Sequence, residues 1–125
     1  MIDHVSVGVS DLVRSARFYE RALAPLGLTR LVERPSTVGY GKTYPEFWIN
    51  LRASMARVPA DTGSHLCFRA KSTAEVDAFH EAAVEAGGVS DGAPGLRPHD
   101  RVRYYAAFVL DPDGSRIEAV TFPSE

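Results

Sequence analysis

Three residues able to hold a metal ion stand at telling positions in this chain: His4, His65 and Glu118. Imidazole nitrogens and carboxylate oxygens are ordinary donors to divalent cations. Two histidines and one carboxylate grip one face of an octahedral ion and leave the opposite face open. A substrate with two adjacent oxygens can chelate through those open positions and be polarised there, or be oxidised by dioxygen bound beside it. Fe2+, Mn2+, Ni2+ and Zn2+ all accept such donors, so the residue types do not select the metal. Taken singly, each residue has a plainer explanation. A histidine at a strand start is commonly satisfied by its neighbours, and a glutamate on a strand is more often solvated. The joint pattern lifts the three above that background: the histidines occupy equivalent places in a repeat, and the glutamate interrupts an otherwise apolar closing strand.

The repeat fixes the architecture that must position them. Residues 4–28 align with 65–89 without a gap, setting His4 on His65, Phe18 on Phe79, Glu20 on Glu81, Ala22 on Ala83 and Gly27 on Gly88. In the first half Ile2, His4, Ser6 and Gly8 alternate with Asp3, Val5, Val7 and Val9, the period of a half-buried strand. Ser10 or Asp11 supplies an N-cap, and Leu12, Ala16, Tyr19 and Leu23, flanked by Val13 and Phe18, form a helical apolar stripe that Pro25 and Gly27 end. In the second half His65–Phe68 is the strand and Ser72 or Thr73 the cap, with Glu75 at capping-box spacing. Val76, Phe79, Ala83 and Val84 make the stripe, and Gly87-Gly88 stops the helix. Strands follow each helix: 28–33, 37–41 and 46–51, then a weak one near 88–90, 103–110 and 116–122. The turn Asp111-Pro112-Asp113-Gly114 joins the last two as a hairpin. Residues 91–102, with Gly92, Pro94, Gly95 and Pro98, read as a long loop. The expected fold is α+β: two βαβββ modules, 1–52 and 64–123, forming a curved, mostly antiparallel eight-stranded sheet with helices outside, in a single domain spanning 1–125.

A doubled βαβββ unit with a histidine on the first strand of each half resembles the vicinal oxygen chelate superfamily, which includes glyoxalase I, extradiol dioxygenases and bleomycin resistance proteins. The matching pieces are Ile2-Asp3-His4-Val5 with Asp11-Leu12 and Phe18-Tyr19, then His65-Leu66-Cys67-Phe68, and most specifically Leu110 to Glu118 around the Asp-Pro-Asp-Gly turn. The likeness covers essentially the whole chain. It implies metal ligands on the first and last strands of the halves, which carried over gives His4, His65 and Glu118. The fourth place falls on Asn50 or Trp48, depending on register. Neither is acidic, a departure from the glyoxalase I pattern that brings the set closer to the three-ligand pattern of extradiol dioxygenases.

Tyr40, Trp48, Tyr104 and Tyr105 lie on strands that would form the cup, though core packing explains such aromatics at least as often. Neighbours on a strand point oppositely, so one of Tyr104 and Tyr105 faces the cup; parity with Ala107 and Val109 favours Tyr105. Glu118 and Tyr105 are then the expected catalytic residues, and Tyr40, Trp48, Arg97, His99 and Tyr105 the expected substrate contacts. An arginine at Arg97, Arg101 or Arg103 could hold a carboxylate or phosphate, and Asp100 could serve as a base, although solvated loop charges are the commoner case. His80, mid-helix, reads as structural or exposed, and Cys67 as a small buried residue.

The composition excludes several classes. Net charge is −2 with both signs interspersed, so no basic face advertises nucleic acid or an anionic membrane. No apolar run approaches the roughly 20 residues of a membrane helix, and the N-terminus reads as a strand rather than a signal peptide. One cysteine permits no internal disulfide, so a cytoplasmic location is expected. The leading expectation is a metal-dependent lyase, isomerase or dioxygenase acting on a small molecule with vicinal oxygens. The alternative is a metal-free protein that sequesters a small molecule, as bleomycin resistance proteins do, with Trp48 and the tyrosines stacking on it. The resemblance also implies a homodimer formed by pairing half-sheets.

Overall fold

A computed structural model describes residues 1–99 and 101–124; Asp100 lies outside them. The chain runs β1 Val5–Val9, α1 Leu12–Leu23, a 3-10 turn Ala24–Leu26, β2 Thr29–Arg34, β3 Thr37–Gly41, β4 Pro45–Leu51, β5 Leu66–Arg69, α2 Thr73–Glu85, β6 Val89–Arg97, β7 Tyr104–Leu110 and β8 Arg116–Thr121. The fold is α+β, as expected, and the doubled unit is plain in the topology. Among the described residues the eight strands form two four-stranded sheets, ordered β1-β4-β3-β2 and β5-β8-β7-β6. Each is mixed: β1 pairs parallel with β4 and β5 parallel with β8, and the other neighbours are antiparallel.

This differs from a single curved, mostly antiparallel sheet, because β1 and β5 are both edge strands of their own sheets. The stretch 91–102 differs too. Val89–Arg97 pairs with β7 through two register shifts. Its glycines and Pro94 break the side-chain alternation that marks a strand, but bulges let the backbone keep pairing around them.

Local chemistry explains the helix ends. Asp11 caps α1, its carboxylate accepting from the Arg14 N–H at 3.0 Å. Ser72 caps α2 by accepting from the Glu75 N–H at 3.2 Å, and the Glu75 carboxylate reaches back to the Lys71 N–H at 2.9 Å. This is a capping box displaced by one residue. Gly27 ends the first helical segment at φ 83°, a conformation in which a side chain is strained.

One hydrophobic cluster joins both halves between helices and sheets, with Phe18, Tyr19, Phe47, Phe79, Val109 and Ile117 at its centre. The Tyr19 and Phe47 rings lie 4.9 Å apart, and Phe47 meets Phe68 edge-on at 5.3 Å. Burying one such ring contributes on the order of 2–3 kcal/mol. Both helices keep most of their expected stripes, but Val13 and Val84 point outward. A buried polar tie also crosses between halves: the Tyr19 hydroxyl donates to Asp111 at 2.5 Å, and Asp111 accepts the N–H groups of Asp113 and Ser115. Asp113 in turn accepts from the backbone and hydroxyl of Ser10. These contacts lock the β7–β8 turn against the end of β1.

Candidate functional site

Strand alternation decides which side chains reach the face away from the helices. On β8, Ile117, Ala119 and Thr121 are buried toward the core side, so Glu118 and the residue two beyond it point to the opposite face. On β7, Ala107 and Val109 join the core, which puts Tyr104, Ala106 and Phe108 on the open face. On β5 the open face receives Cys67 and Arg69, with His65 just before the strand.

His65, Cys67 and Tyr104 lie beside Glu118. Its side chain is only 1% exposed, a costly place for a charge unless it is well bonded. One carboxylate oxygen, Oε1, lies 2.9 Å from Nε2 of His65, and the other, Oε2, accepts the hydroxyl of Tyr104. Burial, followed by the bond to Glu118, raises the Tyr104 phenol above its ordinary range, so it stays a donor. Cys67 is the Cα partner of Glu118, and desolvation together with the adjacent Glu118 charge pushes its thiol up to about 12. The His99 ring stacks on Tyr104 at 5.9 Å with 6° between planes, and Phe122 meets Tyr104 edge-on at 5.4 Å.

The first half arranges its open face differently. His4, Ser6, Arg34, Thr37, Trp48 and Asn50 line a cavity of about 290 Å³. Nδ1 of His4 lies 2.7 Å from the Asp3 carboxylate, and the side chain is 55% exposed. Asn50 bonds the Thr37 hydroxyl. The Trp48 indole lies against Gly39, and the Arg34 guanidinium sits 5.5 Å from its centre.

The structure therefore brings His65 and Glu118 together and leaves His4 apart from them. His4 and His65 border a common cavity of about 450 Å³, with Cys67 and Tyr44 among its walls. Among the described residues no three His, Cys, Asp or Glu side chains are grouped so that they could hold a metal ion. His65 and Glu118 do suit a divalent ion as a pair. Two donors at right angles on an ion with bonds of about 2.1 Å stand about 3 Å apart, close to what His65 and Glu118 show. His4 also has the make-up of a ligand, since a carboxylate on one ring nitrogen fixes the tautomer and frees the other.

Two of the expected substrate contacts lie away from the open face. Tyr105 faces the helices, its hydroxyl donating to Asp77 on α2 at 2.6 Å, because its parity partners Ala107 and Val109 are core residues. Tyr40 is fully buried, its hydroxyl reaching the Ala16 carbonyl and Glu20, because it shares the core side with Val38. Trp48 does lie on the open face. Arg97 lies over Phe108 at 5.6 Å, with its guanidinium donating to the carbonyls of Ala93 and Gly95. Tyr104 takes the open-face place expected of Tyr105. Its signal was parity with Phe108 and, across the hairpin, with Glu118.

A family model described as "Glyoxalase/Bleomycin resistance protein/Dioxygenase superfamily" matches residues 1–119. The chain belongs to this superfamily. A glyoxalase/bleomycin resistance protein from Albidiferax ferrireducens T118 is 35% identical, with a TM-score of 0.84 over 97% of this chain and 98% of that one. A glyoxalase-related enzyme from Fulvimarina pelagi, at 24% identity and TM-score 0.72, shares the fold over 96% of this chain and 86% of its own. A glyoxalase/bleomycin resistance protein/dioxygenase family enzyme from Burkholderia phytofirmans PsJN does likewise at 18% identity and TM-score 0.71, covering 95% and 96%. No curated protein matches this member of the superfamily. Among its described residues, no helix is long and apolar enough to cross a membrane.

Proposed function

We propose that this superfamily member is a metal-dependent enzyme acting on a small organic molecule with two neighbouring oxygens, and that His65 and Glu118 hold the ion. The observation that carries the reading is the 2.9 Å approach of His65 Nε2 to a carboxylate kept almost wholly from solvent. A bound divalent ion would supply Lewis acidity to the substrate oxygens. The chain's own residues do the rest. Tyr104 fixes the carboxylate plane through Oε2 and leaves Oε1 directed to His65. Phe108 and Tyr104 wall the face around Glu118 and exclude water from it.

In this reading the third donor is His4 of a second copy. Among the described residues β1 and β5 each have one unpaired edge, and an unpaired edge is a template for another strand. Pairing β1 of one protomer with β5 of another would join two four-stranded sheets into an eight-stranded cup, making a homodimer.

A second reading has its own support. Tyr104 and His65 already satisfy both oxygens of Glu118, and the matching face of the first half is aromatic. A metal-free protein that sequesters a planar small molecule fits those facts. Elemental analysis of tag-free protein separates the two. Near-stoichiometric metal, absent from His65→Ala and Glu118→Ala, supports the enzyme. A wild type that stays metal-free after exposure to iron, manganese, nickel and zinc leaves the binding protein.

A further inference from the structure

The open face of the second half carries a guanidinium with no carboxylate beside it among the described residues. Arg14 reaches Asp113, Arg30 reaches Glu20 and Glu33, and Arg116 reaches Asp91, while Arg97 is engaged by two backbone carbonyls. Arg69 has none of these. Its guanidinium carbon lies 4.5 Å from the centre of the Phe122 ring. Cys67 and Arg69 share a face of β5, so this charge projects on the same side as Glu118. Phe122 then meets Tyr104 edge-on, and Tyr104 bonds Glu118. The path from the guanidinium to the carboxylate is thus a continuous aromatic wall.

We propose that Arg69 binds a carboxylate of the substrate, with the ring of Phe122 as its support. A guanidinium laid on an aromatic face keeps its plane fixed and its N–H fork turned outward, the arrangement that receives a carboxylate through two parallel hydrogen bonds. The wall of Phe122, Tyr104 and His99 takes the flat part of the molecule. The end bearing the neighbouring oxygens then points to His65 and Glu118. The substrate class is a planar or aromatic carboxylic acid, which is opposite in charge to a cationic drug. This inference rests on the reading above only in naming Glu118 as the reacting end.

The test uses three probes of one shape and different charge: benzoate, benzamide and benzamidinium. Each is titrated by calorimetry into full-length protein treated with EDTA, for wild type, Arg69→Gln and Arg69→Lys. The expected order is benzoate tightest, about tenfold to a hundredfold above benzamide, as charge-assisted hydrogen bonds of this type provide. Arg69→Gln brings benzoate down to the benzamide level, and Arg69→Lys recovers part of the difference. Thermal melts of the variants show that they fold. Benzamidinium binding tightest, benzoate binding unchanged in Arg69→Gln, or no benzoate binding overturns the proposal. So does a carboxylate preference that appears only when Mn2+ is restored and survives Arg69→Gln. In that outcome the ion takes the carboxylate and the metal reading stands without Arg69. If metal content fails while the preference holds, Arg69 stands without the ion.

Discussion

Trp48 and Glu118 occupy the same station in the two halves. Trp48 is the Cα partner of Ser6 on β1, and Glu118 is the Cα partner of Cys67 on β5. Ser6 and Cys67 coincide when residues 4–28 are laid on 65–89. At this station, then, the second half carries a carboxylate and the first half an indole.

Trp48 is also the single tryptophan, so its fluorescence reports the aromatic face directly. A Cβ placed on Gly39 would stand 2.8 Å from the indole, closer than packed carbons approach. Gly39→Ala is expected to displace the ring, shift its emission and destabilise the protein by about 1–3 kcal/mol. An unchanged spectrum and midpoint would show that the indole does not rest on Gly39.

Tyr104 and Tyr105 should respond differently to loss of a hydroxyl. Tyr104→Phe leaves one oxygen of a buried carboxylate without its donor, at a cost of about 1–3 kcal/mol. Tyr105→Phe loses a bond at the protein surface and should cost under about 1 kcal/mol. Urea unfolding of the two variants checks the order, and a larger loss for Tyr105→Phe would reverse the assignment of strand faces.

That assignment marks the limit of what the sequence discloses. The repeat made the doubled unit legible, and a lone glutamate in an apolar strand, set against a repeated histidine, marked His4, His65 and Glu118 as a set, of which the structure brings His65 and Glu118 together. Which tyrosine joined them was not, because β7 is apolar on both sides: Ala106 and Phe108 on one, Ala107 and Val109 on the other. Alternation then gives two faces without saying which one the helices cover. On β3 the side opposite Val38 and Tyr40 holds only Thr37 and two glycines, which give little contrast to mark the buried side. The split into two sheets was also hidden, since β1 and β5 differ from inner strands only in lacking a second partner. The pairing of Val89–Arg97 rests on backbone bonds that side-chain patterns do not encode.

The Tyr19–Asp111 tie carries a pH signature. Burial raises the Asp111 carboxyl above its ordinary value, while the Tyr19 hydroxyl and two backbone N–H groups pull it back down. Tyr19→Phe removes one of those opposing bonds, so the folded-state pKa rises further. A carboxyl raised in this way favours the folded state in acid, and that advantage is lost as pH climbs through the folded value. The variant should lose about 1–3 kcal/mol near pH 7 and distinctly less near pH 4. Denaturation at both values tests the sign, and an equal or larger loss in acid would contradict it.

If pairing of β1 with β5 completes the cup, wild type should sediment as a dimer at micromolar concentration. A pure monomer that still binds one ion per chain would place the whole ligand set in one protomer.

The central claim is that His65 and Glu118 act together on a metal ion. Its most direct test is calorimetric titration of Zn2+ and Mn2+ into tag-free, chelator-treated wild type, His65→Ala and Glu118→Gln. The expected result is one ion per chain in wild type, with affinity reduced at least about a hundredfold in either variant, since each removes a direct ligand. Equal affinity in all three proteins, or no uptake by wild type, would contradict it.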